Sequence, residues 1–264
     1  MRKEKGKFWT KYKKIQQAES TEKVQNLDGT LYAVLFNAKK GRHSYDIQLM
    51  YNSLIYAGVS DLDISVLEGD GRTKNRFVNK SATIKNLDSV VDSIRQRANL
   101  NDRLLIYVAN KGYLVNKQCN VESYDGFIYE KDFEQIMQDL PVNFGFFYFA
   151  QCHSGGFAER MGYGRNIGMS NANREEKSYG HVDNVGAYFS HFLFSNILNP
   201  KKTIEQAFDE AVYETTSIER INNIGLKEGF MYPCPERIKS EGLETPQLRW
   251  QNADPSRVYM TKEE

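Results

Sequence analysis

A chain of 264 residues, 40% hydrophobic and 12% aromatic, is long enough to bury a sizeable core as one large α/β domain. Its 35 Lys+Arg and 34 Asp+Glu nearly cancel, which argues against nucleic acid as a partner, and no stretch approaches the roughly 20 apolar residues of a membrane span. Three widely spaced cysteines (Cys119, Cys152 and Cys234) make no disulfide framework and suit a reducing, cytoplasmic setting, while four histidines without CxxC or HxxxH spacing give no expectation of a metal or other cofactor.

Residues 1–29 form a separate arm that opens with Arg2, Lys3, Lys5, Lys7, Lys11, Lys13 and Lys14 against Glu4. Charge runs at chain ends are mostly solvated, and this one suits contact with an anionic surface or partner. No apolar stretch follows it, which is not the pattern of a signal peptide. Residues 31–36 (LYAVLF) then predict a buried strand. A loop with Lys39, Lys40, Gly41, Arg42 and His43 leads into a helix over 46–57, with Ser44 as its cap, Ile47, Met50, Leu54 and Ile55 at helical spacing, and Gly58 as its stop. Residues 63–67 predict a second strand, and 68–81 a polar loop in which Gly69, Asp70 and Gly71 make a plain turn rather than a calcium loop.

A helix over 83–98 carries Ile84, Leu87, Val91 and Ile94 on one stripe and leads into 102–112 (DRLLIYVANKG), an apolar run with an acid at its start and a glycine at its end. Beyond it, 126–129 predicts a hairpin strand, 130–140 a helix stopped by Pro141, and 166–172 a fifth strand followed by a charged segment over 173–183. Two helices over 185–198 and 203–216 and a last strand over 257–260 complete the order. Repetition of strand, helix and strand marks a parallel sheet with crossover helices. Cys119 and Cys234 fall in loop-like surroundings with no assigned role.

The chain is organised around residues 143–157 (NFGFFYFAQCHSGGF). The aromatic run 144–149 predicts a strand buried on both faces, and it ends in Ala150, Gln151 and Cys152 before Ser154, Gly155 and Gly156. An open α/β sheet places its chemistry at the carboxyl ends of its strands. The glycines allow a tight turn whose amides point at an oxyanion beside the sulfur. From these residues alone Cys152 is either a nucleophile or a small core residue that ends a strand.

The two strand ends together resemble the caspase and legumain group of cysteine peptidases, whose signatures are a strand ending in His-Gly and a later strand ending in Cys followed by Ser-Gly. QCHSGGF matches the second signature, and 102–112 aligns with the first without a gap, with Lys111 where the family has its catalytic histidine. The resemblance covers about residues 31–261. It implies a caspase-hemoglobinase-like α/β fold for residues 30–264, a mostly parallel six-stranded sheet flanked by helices on both faces.

It also implies roles. Cys152 matches the nucleophile, and Gly112 matches the glycine that shares an oxyanion hole with the cysteine's own amide. Arg42 and His43, in GRHSYD, match two positions of the pocket for the side chain before the scissile bond. Gln151 and Ser178, the latter in SNANREEKSYG, are the further substrate-binding candidates. Two acids of the family pocket are missing, since Ala150 stands where legumain has Glu and metacaspases commonly have Asp, and Ala187 stands where legumain has a second acid. Substrate preference therefore does not carry over.

Lysine as a residue type, with an ordinary pKa of about 10.4 against about 6.5 for histidine, keeps a thiol ionised but gives up a proton reluctantly. His153 is no substitute, because adjacent side chains at a strand end point to opposite faces. Two functions follow, both with a peptide or protein as partner. One is an endopeptidase with weak or absent activity, and the other is a pseudopeptidase whose cleft holds a peptide without cutting it.

Overall fold

The computed structural model describes residues 29–39, 41–72, 75–178, 188–223, 246–251 and 260. The basic arm, Ala187 and Cys234, and all but Met260 of the strand expected over 257–260, lie outside them. In chain order the elements are β1 (Leu31–Asn37), α1 (Arg42–Tyr56), β2 (Ile64–Glu68), α2 (Ile84–Arg97), β3 (Arg103–Ala109), β4 (Gly112–Val115), β5 (Gln118–Ser123), β6 (Gly126–Tyr129), α3 (Glu130–Met137) and β7 (Phe144–Phe149). They continue with α4 (Gly155–Met161), β8 (Ile167–Ser170), α5 (Tyr188–Phe194), α6 (Ile204–Asn223) and β9 (Gln247–Trp250).

Six strands form one sheet in the order β2-β1-β3-β7-β8-β9, parallel except for β9 at the edge. Every residue of β1, β3 and β7 is buried, because helices cover both faces and each side chain has an apolar layer to enter. Alternation sorts them. Leu105 and Tyr107 of β3 with Phe146 and Tyr148 of β7 join α1, α5 and α6 on one face; Ile106, Val108, Phe147 and Phe149 join α2, α3 and α4 on the other. Strands β4, β5 and β6 make a separate antiparallel sheet that leaves the main one directly after Lys111.

The sheet, the crossovers and the strands over 31–36, 63–67, 102–112 and 144–149 agree with the sequence reading, and five local features differ from it, one being the edge strand β9 at Gln247–Trp250, where no strand was expected. Helix α1 starts at Arg42, earlier than expected, and Ser44 is its third residue rather than its cap: its hydroxyl accepts from the Gly41 amide at 3.0 Å while its own amide donates to the Gly41 carbonyl at 2.9 Å. Strands β4 and β5 were absent from the sequence expectation, since they are short and only half apolar. Cys119 consequently lies buried in β5, not in a loop. The tight turn expected at the glycines falls instead on residues 152–154, and Gly155 and Gly156 open helix α4.

Candidate functional site

The register fixes where the two signature strand ends meet. Strands β3 and β7 are adjacent and parallel, with Val108 opposite Phe149, and the ladder runs one step further through the Ala150 amide to the Val108 carbonyl at 2.8 Å. Lys111 and Cys152 therefore emerge at the same carboxyl edge, Lys111 exposed and Cys152 half-buried. The backbone of Gly112 packs directly on that of Cys152. A Cβ added to Gly112 would sit 2.0 Å from the Cys152 carbonyl oxygen and 2.7 Å from Cγ of Gln151, so only glycine fits at this crossing. Gln151 itself is buried beneath Gly112, and its two side-chain amide atoms have no hydrogen-bond partner among the described residues.

A loop over 173–178 covers the sulfur from the other side. The Ser178 amide donates to Cys152 Sγ at 3.3 Å, and the thiol lies 3.6 Å from the Ser178 carbonyl. His153, at φ 58, donates its backbone amide to the Glu176 carbonyl at 2.7 Å and sets its ring Nδ1 3.0 Å from the Arg174 carbonyl. Its ring is thus engaged with the loop.

Ser178 also ends a buried polar chain that crosses the face under α1. His43 Nδ1 lies 3.2 Å from Asp46 Oδ2, and the Tyr107 hydroxyl nearby is held well above the usual tyrosine pKa by burial first and then by Asp46 and Tyr148. The Ser190 hydroxyl sits 3.5 Å from the Tyr107 hydroxyl and 2.6 Å from that of Tyr148. Tyr148 donates to Asn171 Oδ1 at 2.5 Å, and Asn171 donates to the Ser178 hydroxyl at 3.1 Å. The bonded chain runs from Tyr107 to the Cys152 loop through hydroxyl and amide groups, with His43 and Asp46 beside its far end. Arg42 begins α1, and its side chain lies outside the described part; Ala150 is buried and brings no carboxylate.

Glu122 donates its amide to the Lys111 carbonyl at 3.0 Å, but its carboxylate turns to Lys39 Nζ at 2.7 Å. Among the described residues no carboxylate pairs with Lys111. A cleft of about 640 Å³ opens between α3 and α4, lined by Met137, Leu140, Arg160 and Tyr163. It also includes Val142 and Asn166, which precede β7 and β8, so it belongs to the opposite edge of the sheet and takes no part in this chemistry.

Asp46, Tyr107, Tyr148, Asn171 and Ser190 were not anticipated from sequence. The available signal was the pair of tyrosines, the sole hydroxyl-bearing residues in the runs LLIYVA and FGFFYF. A thiol at the carboxyl edge of a mostly parallel sheet, glycine-packed against the neighbouring strand end, defines the class as cysteine hydrolases of caspase-hemoglobinase fold. The profile of the peptidase C13 family, the legumain family, matches residues 79–228, more than half of the chain, and the chain belongs to that family. The matched span holds Lys111, Gly112, Cys152 and Ser178 but not Arg42 or His43. Comparison with curated proteins returns no match. Among the described residues no helix is long and apolar enough to cross a membrane.

Proposed function

We propose that residues 30–264 form a cysteine endopeptidase in which Cys152 is the nucleophile, Lys111 takes the place of the general acid, and the Gly112 and Cys152 amides stabilise the oxyanion. The observation that carries this reading is the meeting of Lys111, Gly112 and Cys152 at one edge of adjacent strands. A thiolate on Cys152 attacks the peptide carbonyl carbon, the C–N bond breaks as the amine takes a proton, and water hydrolyses the thioester. Lysine supports the first step through its charge and handicaps the second through its basicity, so turnover is slow. Arg42, His43 and Ser178 border the pocket for the residue before the scissile bond, and Gln151 supports Gly112 from beneath. With Ala150 in place of an acid, that pocket does not hold basic side chains by charge. The substrate is a peptide or protein, the setting is cytoplasmic, and residues 1–29 are a basic arm that meets anionic surfaces.

The missing acid at Ala150 favours a second reading, a pseudopeptidase that binds a peptide without cutting it. Incubation of wild type and Cys152→Ala with a mixed peptide library, read by mass spectrometry, separates the two. Slow cleavage that disappears in Cys152→Ala is the expected result. Peptides retained equally by both proteins and never cut would establish the pseudopeptidase, and cleavage surviving in Cys152→Ala would remove Cys152 from the chemistry.

A further inference from the structure

Behind the site, on the side of α4 away from the tyrosine network, lies an ionic cluster that the peptidase reading does not use. Glu130, the first residue of α3, is buried, and Arg174 Nη1 bonds both its carboxylate oxygens at 3.1 and 3.2 Å. The same guanidinium reaches Glu159 of α4 at 3.1 Å, the Lys117 carbonyl in the β4–β5 turn at 3.2 Å, and Cys119 Sγ of β5 at 3.7 Å. Arg174 thus joins three elements to the loop that carries Ser178. The joint is tight: a Cβ on Gly156 would lie 2.2 Å from Glu130 Oε2 and 2.9 Å from Arg174 Cζ, and one on Gly155 would lie 2.5 Å from the Arg174 amide nitrogen.

We propose that Arg174 is a positioning residue, which fixes the loop over 173–178 against the hairpin and α4 so that the Ser178 amide stays on the Cys152 sulfur. The Arg174 side chain makes this fork, while His153 holds the loop backbone, its amide donating to the Glu176 carbonyl and its Nδ1 lying 3.0 Å from the Arg174 carbonyl. An arginine suits the task because its planar donors engage Glu130, Glu159 and the Lys117 carbonyl at once, which a lysine's single ammonium does not. The inference rests on the reading of Cys152 as the reactive thiol, and its test does not need turnover.

The test measures alkylation of Cys152 by iodoacetamide against pH, by mass spectrometry, in wild type, Arg174→Lys and Arg174→Gln. Both variants are expected to fold, because Glu130 keeps Arg160 at 3.5 Å and its place at the start of a helix. Cys119, buried in the cluster, reports on integrity by remaining unlabelled. The charged and titratable groups around the sulfur, Lys111 after β3, His153 beside it, Glu176 and Lys177 on the loop and His43 on α1, are unaltered. With the amide donor no longer held, the midpoint of the Cys152 profile moves up by about one pH unit in both variants, while the plateau rate at high pH is kept or raised.

An unchanged midpoint with Cys119 still protected would overturn the proposal. So would variants that melt without cooperativity or label at Cys119, since the cluster would then support the whole domain rather than the loop. A shifted midpoint in a protein that cleaves no peptide would uphold Arg174 and refute the peptidase reading alone.

Discussion

Two cysteines flank the amino end of α4, and each has a cation within reach of its part of the fold. Cys119 is buried in β5 with the Arg174 guanidinium 3.7 Å away, yet burial pushes its thiol up to about 11. Arg174 pulls that value down, but Glu130 pushes it back, and two carboxylates already occupy the guanidinium. Cys152 is half-buried at the sheet edge, takes an amide donor at 3.3 Å, and shares that edge with Lys111, whose charge is not claimed by any carboxylate among the described residues. Proximity of a positive charge is thus not what activates a thiol. At Cys119 the donors are outweighed by burial and by the carboxylates that compensate the guanidinium.

The largest effect expected from this contrast is in labelling. A thiol with the ordinary pKa of about 8.5 is ionised by a few parts in a hundred at pH 7, whereas one near 11 is ionised by about one part in ten thousand. Limited iodoacetamide treatment at neutral pH is expected to modify Cys152 at least about a hundredfold faster than Cys119. Labelling of Cys119 first would reverse the comparison.

Gly156→Ala sharpens it from the packing side. Alanine favours a helix by about 1 kcal/mol over glycine, but here the methyl would meet Glu130, Cys119 and Arg174, all of them pinned. A net loss of about 2–3 kcal/mol in urea unfolding is expected. A stabilised variant would show that the cluster yields easily.

The smallest effect is in alkali. Because the Cys119 thiol is raised from about 9 to about 11 in the folded state, folding favours its protonated form. Its contribution is fully present below pH 9 and is lost as pH rises through 11, by up to roughly 2 kcal/mol. Cys119→Ala should flatten the decline in stability over that window, and an unchanged slope would place the titration elsewhere.

The parallel sheet was legible because β1, β3 and β7 are buried on both faces, which leaves an unbroken apolar run in the sequence. The adjacency of β3 and β7 was legible too, through the resemblance that the motifs at their ends carry. Strands β4 and β5 escaped because their half-exposed positions dilute the alternation, and with them went the burial of Cys119. Gly155 and Gly156 read as turn residues, although their reason is space: the backbone of residues 173–174 and the side chains of Glu130 and Arg174 approach too closely for any side chain. The pairing of Arg174 with Glu130 left no sign in the sequence, because partners 44 positions apart leave no local trace.

The claim that lysine handicaps an otherwise assembled site is tested most directly by the cleavage rate of a mixed peptide library by Lys111→His beside wild type and Cys152→Ala. An imidazole at the end of β3 supplies a donor with an ordinary pKa near 6.5, and general acid catalysis is worth about a hundredfold or more. A rise of at least about a hundredfold is expected, and Cys152→Ala in the same background abolishes it. Efficient cleavage by wild type that falls on Lys111→His would contradict it and establish Cys152 and Lys111 as a working dyad.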